Sequence, residues 1–170
     1  MKSEEKTNVM RLLESKKIAY TAHTYAADPS LSGEEIAGIL GEDPAVVFKT
    51  LVTRGKTGRN YVFVIPVCAE LDLKKAAKTA GEKSVEMIPQ KELLPLTGYV
   101  HGGCSPVGMK KPFPTFVHTS AESAGRIFVS AGKVGFQIEV SPADLRKIVR
   151  LSFSDLVTEQ NCNPSCFSGL

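Results

Sequence analysis

The sequence predicts an α+β fold: a single domain built on a mixed, largely antiparallel sheet with short helices around it. Three observations carry this expectation. Helix and strand signals alternate at short spacing through a chain of 170 residues. None of the helical patterns is long and regular enough to serve as the crossovers of a doubly wound parallel sheet. The length itself is about one domain's worth, enough to bury roughly 70% of the unfolded surface.

Composition narrows the class. Apolar residues make up 42% and charged residues 23% of the chain, an ordinary globular balance. That argues against a disordered chain, which needs low hydrophobicity and high net charge. No apolar run reaches the ~18 residues of a membrane helix. The start, Met1-Lys2-Ser3-Glu4-Glu5-Lys6, has no apolar stretch behind it, so no signal peptide and no membrane association are expected, and a cytoplasmic location is. The net charge of +3 permits local contact with a polyanion without demanding it.

The elements follow in order. Val9, Met10, Leu12 and Leu13 among charges predict an amphipathic helix within residues 4–17. The alternating, Tyr- and Thr-rich stretch Ile18–Tyr25 predicts a strand. Ser32-Gly33-Glu34-Glu35 is a capping box; the helix it opens carries Ile36, Ile39 and Leu40 and should stop at Gly41. Asp43-Pro44 predicts a further short helical turn. Val46–Thr53 and Tyr61–Val67, joined by the polar turn Gly55–Asn60, predict a hairpin. Asp72 should cap a helix over Leu73–Ala80 that ends at Gly81. Val85–Ile88 predicts a short strand and Pro89–Leu94 a short helix. Gly98–Pro114, with four glycines and three prolines, predicts a shaped loop. Strands are expected at Phe116–His118, Arg126–Ser130, Phe136–Val140 and Leu151–Phe153, with a helix capped by Ser141 and running from Pro142 through Val149. The domain is expected to span residues 1–158. The remainder, 159–170, ends in Asn161–Leu170 without charge or periodicity and reads as a disordered tail.

Familiar catalytic patterns fit poorly. Ser105 lies in Gly103-Cys104-Ser105-Pro106-Val107-Gly108, which is not the G-x-S-x-G of a hydrolase elbow. Pro106 also removes the backbone N–H such an elbow supplies to its oxyanion hole. Cys104 with His101 could form a Cys–His pair, but Cys104 reads better as a small packing residue. No phosphate-binding glycine motif follows a strand. Cys162 and Cys166 have no second Cys/His pair at zinc spacing, and His23, His101 and His118 are dispersed, so no metal and no cofactor is expected.

Two features remain. Gly102 and Gly103 stand in a loop whose backbone could approach a ligand closely and present N–H groups to an oxygen; an ordinary tight turn would look the same. Lys49 lies inside the apolar strand Val46–Val52 and must reach water, a partner or a pocket; a snorkelling edge lysine is the commoner reason.

Taken together, His23-Thr24-Tyr25, Val47-Phe48-Lys49-Thr50-Leu51, Leu71-Asp72-Leu73-Lys74-Lys75, the loop Gly102-Gly103-Cys104-Ser105-Pro106-Val107-Gly108 and Val129-Ser130-Ala131-Gly132-Lys133 resemble the YbaK/EbsC family. These are trans-editing domains that deacylate mischarged tRNA, and the resemblance covers roughly residues 5–158. It implies a largely antiparallel, partly barrel-like sheet. It implies action on the acceptor end of an aminoacyl-tRNA, most closely Cys-tRNA(Pro), with Ala-tRNA(Pro) cleared by relatives. It also implies a transient complex with prolyl-tRNA synthetase. Lys49 would anchor the substrate's terminal adenosine or ester, and the Gly102 and Gly103 backbone would stabilise the oxyanion. Tyr25, His101, Ser105, Ser130 and Gln137 would line the substrate site. The position of Gln137 is often aspartate in the Cys-specific members, so the resemblance leaves the amino acid open. A non-catalytic tRNA- or synthetase-binding module and a thiol redox protein using Cys162 and Cys166 are the competing readings.

Overall fold

The computed structural model describes residues 5–28 and 30–158; the expected tail, with Cys162 and Cys166, lies outside the described residues. Helix α1 (Asn8–Ser15) begins where the Thr7 hydroxyl accepts from the Met10 N–H, and it buries Val9, Met10 and Leu13. Strand β1 (Thr21–Thr24) follows. Helix α2 (Gly33–Leu40) has the capping box read from the sequence: Ser32 accepts from the Glu35 N–H at 3.1 Å, and Glu35 accepts from the Ser32 N–H at 3.1 Å. Strands β2 (Phe48–Gly55) and β3 (Asn60–Pro66) form the expected hairpin. Helix α3 (Leu73–Ala80) is capped by Asp72, which accepts from the N–H groups of Lys74 and Lys75. Strand β4 (Val85–Met87), a 3₁₀ turn over Gln90–Glu92 and helix α4 (Leu93–Thr97) lead into the loop. Then come β5 (Thr115–His118), α5 (Ser120–Ala124), β6 (Ile127–Ser130), β7 (Phe136–Val140), α6 (Pro142–Leu145) and β8 (Leu151–Ser154).

The strands make two sheets. One has the order β1-β7-β6, all antiparallel. The other has the order β4-β2-β3-β5-β8, antiparallel at β4-β2-β3 and parallel at β3-β5-β8. A parallel bridge, Val47 to Phe128, joins them, and the Phe128 N–H donates to the Val46 carbonyl at 2.9 Å. The sheets are thus continuous at this seam without closing into a barrel.

Strand β3 explains its own apolar run. Val62 and Val64 face the main core, while Phe63 and Ile65 face a second core under α3 with Ala76 and Ala77. The main core is filled from α1 (Val9, Met10, Leu13), from the loop (Tyr99, Cys104, Val107) and from one face of the three-stranded sheet (Ile127, Val129, Ile138, Val140). A small third cluster, Ala37, Val47 and Val67 with Phe128, packs α2 across the seam between the sheets.

Two points of the expected helices differ. The last helix stops at Leu145 rather than Val149, and the Ser141 side chain does not cap it. Ile148 and Val149 are β-branched, and the chain must be extended by Leu151 to pair with Thr115, so only single turns follow α6. Asp43-Pro44 opens the expected single turn, closed by the Val46 N–H on the Asp43 carbonyl. Helix α5 was not expected; its Ser-rich sequence has weak helical propensity, and burial of Ala121 in the main core holds it.

Candidate functional site

The turn between β6 and β7, residues 131–135, is where the candidate residues gather. Ser130 at the end of β6 pairs with Gln137 of β7, and Gln137 pairs with His23 of β1. Directly opposed residues share a face, so Ser130, Gln137 and His23 form one row across the sheet. Lys49 lies on the neighbouring strand β2, where it pairs with Ile65 of β3, two residues past Val47, the parallel bridge partner of Phe128. A period of two gives Lys49 the side-chain direction of Val47, and Ser130 that of Phe128.

The glycine loop meets the same turn from the other side. A Cβ on Gly103 would lie 3.0 Å from the Val134 backbone nitrogen, so main chain packs on main chain there. Gly102 has φ +86° and lies against the Val134 side chain. The Tyr25 N–H donates to the Gly135 carbonyl at 3.0 Å, which fixes the Tyr25 backbone to the far end of the turn. His101 is exposed beside Gly102. Ser105 is not part of this gathering: it is fully buried, and its hydroxyl accepts from the Val107 N–H at 3.2 Å.

The loop's other reactive group is equally removed from chemistry. Burial pushes the Cys104 thiol up to about 12, so it carries no thiolate at neutral pH. Tyr99 beside it is pushed up to about 12, by burial first and then by Cys104, and its hydroxyl donates to the Val107 carbonyl. These bonds lock the loop's shape from beneath and leave backbone as its outward chemistry.

Charge is arranged differently along the polar face. Burial holds the Lys49 amine below the ordinary lysine value, opposed by the carboxylates of Glu34 and Glu70. At the other end, His23 Nε2 lies 3.0 Å from Glu139 Oε1, and Arg126 Nε donates to Glu139 Oε2 at 2.7 Å. The His23 hydrogen bond and then Arg126 hold Glu139 below the usual carboxylate range. Glu42, just past α2, is pushed up by burial and by Glu139, against the lowering pull of Gln137 and His23. The Gln137 contact with Glu42 lacks hydrogen-bond geometry: both Glu42 carboxylate oxygens and the Gln137 amide oxygen are buried without a partner among the described residues. Thr50 Oγ1 is in the same position.

Sequence reasoning missed Glu42 and Glu139. In sequence Glu42 is one more polar residue between Gly41 and Asp43-Pro44, and nothing marks its fold-back onto β7. Glu139 was legible only as the polar phase of an alternating strand. Among the described residues no group of His, Cys, Asp and Glu has the arrangement to hold a metal ion.

The domain thus has a half-buried lysine on β2 and, against the β6–β7 hairpin, a glycine-rich main chain whose Ser105 hydroxyl and Cys104 thiol are both buried. Known proteins specify the class further. Residues 28–148 match the family model of the aminoacyl-tRNA editing domain, and the chain belongs to that family. A relative in Enterococcus faecalis, named as a candidate Cys-tRNA(Pro)/Cys-tRNA(Cys) deacylase, EbsC, is 44% identical over 94% of this chain and 98% of its own. Two crystal structures share the fold. One, described as a candidate trans-editing enzyme for prolyl tRNA synthetase, has a TM-score of 0.76 at 22% identity, over 91% of this chain and 99% of its own. The hypothetical protein APE2540 has a TM-score of 0.81 at 23% identity, over 89% and 100%.

Proposed function

We propose that the chain is a deacylase acting in trans on aminoacyl-tRNA, with Cys-tRNA(Pro) as its substrate. The need is physical. A synthetase pocket discriminates near-isosteres by only ~1–3 kcal/mol, so a second site must clear the errors. Membership of the editing family and the close E. faecalis relative support the reaction class. The observation that supports the reading is that Ser130 and Gln137 pair at the ends of the hairpin turn against which Gly102 and Gly103 pack, with Lys49 on the strand that bridges to β6 at Val47 and Phe128.

In this reading the acylated ribose end enters beside the hairpin. The Lys49 amine anchors the terminal adenosine's phosphate or ester region. N–H groups around Gly102 and Gly103 stabilise the negative charge that grows on the ester carbonyl. Tyr25, His101, Ser130 and Gln137 bound the aminoacyl group. Ser105 acts through the loop that it braces, since its own hydroxyl is taken by Val107.

The attacking group is the substrate's own thiol. Its sulfur bonds to the ester carbonyl carbon, the carbon–oxygen bond to the ribose breaks, and the thiol proton passes to the departing ribose oxygen. A cyclic thiolactone leaves. An oriented intramolecular attack reaches effective molarities on the order of 10⁵–10⁸ M, so the protein's contribution is orientation and charge stabilisation. Prolyl-tRNA synthetase is the partner that hands over the mischarged tRNA, and the cytoplasm is where that exchange takes place.

The test is a panel of tRNA(Pro) carrying cysteine, alanine or proline. Cys-tRNA(Pro) is cleaved, Pro-tRNA(Pro) survives, Lys49→Ala abolishes turnover, and Cys-tRNA(Pro) with its thiol alkylated persists. Cleavage of the alkylated ester at the normal rate sinks the thiol mechanism. Binding of tRNA with no cleavage of any ester leaves only a binding module.

A further inference from the structure

A groove in the described residues lies away from the hairpin. It has a volume of about 940 Å³ and lies between α1, the end of the 98–114 loop, β5 and the segment entering β8. Its walls are mainly apolar, with Phe113 among the lining residues. Four cations, Lys16, Lys111, Arg146 and Arg150, line it, and no carboxylate does. All four are exposed, and among the described residues none forms an ion pair with a carboxylate. Arg146 lies over the Phe153 ring, 5.5 Å from its centre.

That local balance contrasts with the chain as a whole, where 21 basic residues face 18 acidic ones. Several cations elsewhere are paired, Lys6 with Glu14, Arg54 with Glu92, Lys75 with Asp155, Arg126 with Glu139 and Lys133 with Glu5, whereas none of the groove's four is in an ion pair among the described residues. An apolar, aromatic cleft rimmed by unpaired cations complements a ligand that alternates flat rings with anions. Unstacked nucleotides do so: bases stack on aromatic rings and phosphates follow the positive rim. A folded protein partner would bring carboxylates but no repeating ring–anion alternation.

The groove is also within reach of Lys49. Thr115 in its wall is level with Val62 and Val52, three residues along β2 from Lys49 and two strands across. At ~3.3 Å per residue and ~4.8 Å per strand, that is about 14 Å, less than half of one ~34 Å helical turn of nucleic acid. We propose that this groove is a second RNA site, holding nucleotides of the tRNA strand that lie next to the acylated end. The site rests on the deacylase reading and gives it a way to grip tRNA apart from the reacting ester.

The experiment compares the full chain with the variant Lys111→Glu/Arg150→Glu, both positions being exposed, after thermal melts establish that the variant folds. Binding to uncharged tRNA(Pro) is titrated at several KCl concentrations, and cleavage of Cys-tRNA(Pro) is set beside cleavage of 3′-cysteinyl-adenosine, which has no flanking nucleotides. The variant should raise KM for Cys-tRNA(Pro) about tenfold or more with kcat unchanged. It should cleave 3′-cysteinyl-adenosine as the parent does. Its slope of log K against log salt should be shallower by about 1.4, for two lost single-strand phosphate contacts. Phe113→Ala should weaken tRNA binding while leaving that slope alone. Unchanged KM and salt slope in a folded double variant overturn the proposal, as does a groove that takes up anionic phosphatidylserine vesicles but no tRNA. Should the parent cleave neither ester, yet bind tRNA with a salt slope that the double variant loses, the groove stands and the deacylase reading falls.

Discussion

The two faces of the three-stranded sheet are made by the same strands and could hardly differ more. On one face Ile127, Val129, Ile138 and Val140 are buried in the main core. On the other, Ser130, Gln137 and His23 form a polar row, Glu139 is held by His23 and Arg126, and Glu42 folds down onto it. The second face is only partly covered, and where it is buried its polar groups are incompletely paired: Gln137 is 4% exposed with its amide oxygen unpartnered. Buried polar atoms without partners cost about 1–3 kcal/mol each. One face therefore stabilises the fold, and the other gives stability up to keep buried polar groups that, in the proposed function, border the substrate.

The largest effect should come from the apolar face. Ile138→Ala removes a fully buried side chain and should cost about 2–5 kcal/mol, lowering Tm by roughly 10 °C. Cleavage of Cys-tRNA(Pro) per folded molecule should hardly change. A large loss of activity in the still-folded variant would mean that the two faces are not separable.

Next comes the reverse case. Lys49→Met should reduce cleavage of Cys-tRNA(Pro) by about 100-fold or more, the scale of about 3 kcal/mol lost from the transition state. Burial disfavours its charge, so the same change should leave Tm unchanged or raise it. Calorimetry beside single-turnover kinetics separates the two. A variant that loses activity only because it melts would return Lys49 to the role of a structural edge residue.

The loop beneath the hairpin should register in alkaline solution. Cys104 and Tyr99 have folded pKa values raised to about 12, above the 9.0 and 10.0 of the unfolded chain. Raised acids of this kind stabilise fully below the unfolded values, and the contribution is lost as pH rises toward 12. Stability should fall by about 1–2 kcal/mol on reaching pH 10, as urea melts would read it. In Cys104→Ala the decline should begin about one pH unit later, where Tyr99 alone titrates. An identical decline in the variant would show that the thiol is not buried as described.

Much of this molecule was legible in its sequence, and the parts that were not share a cause. The Ser32–Glu35 box, the Asp72 cap and the strand Phe136–Val140 are local signals, and the structure reproduces them. Helix α5 and the early stop of α6 are set by what packs on them: Ala121 in the core, and Leu151 paired with Thr115. The site divides in the same way. Gly102, Gly103 and Lys49 stand out in sequence because they are odd in their surroundings. Glu42 does not, since its oddness is the dry place its carboxylate reaches, almost 100 residues from Gln137 in the chain.

Glu42 supplies the smallest and sharpest test. Its carboxylate oxygens are buried and unpartnered, and its pKa is raised, by burial first. An acid with a raised folded pKa stabilises most below the unfolded value of 4.5, and that contribution is lost as pH rises through the folded value. At neutral pH the charged group is thus a burden on the fold. Glu42→Gln keeps the shape and removes the charge. Its Tm should match the parent's at pH 4, pull ahead as pH rises above 4.5, and stay about 1–2 °C higher at pH 7. A neutral-pH Tm below the parent's would mean that the charge is matched in the native state, and the polar face would then be as fully satisfied as the apolar one. A gain confined to pH above 4.5 has a narrower meaning: the face holds an ionised carboxylate against the preference of the fold, beside the Gln137 position that borders the aminoacyl group.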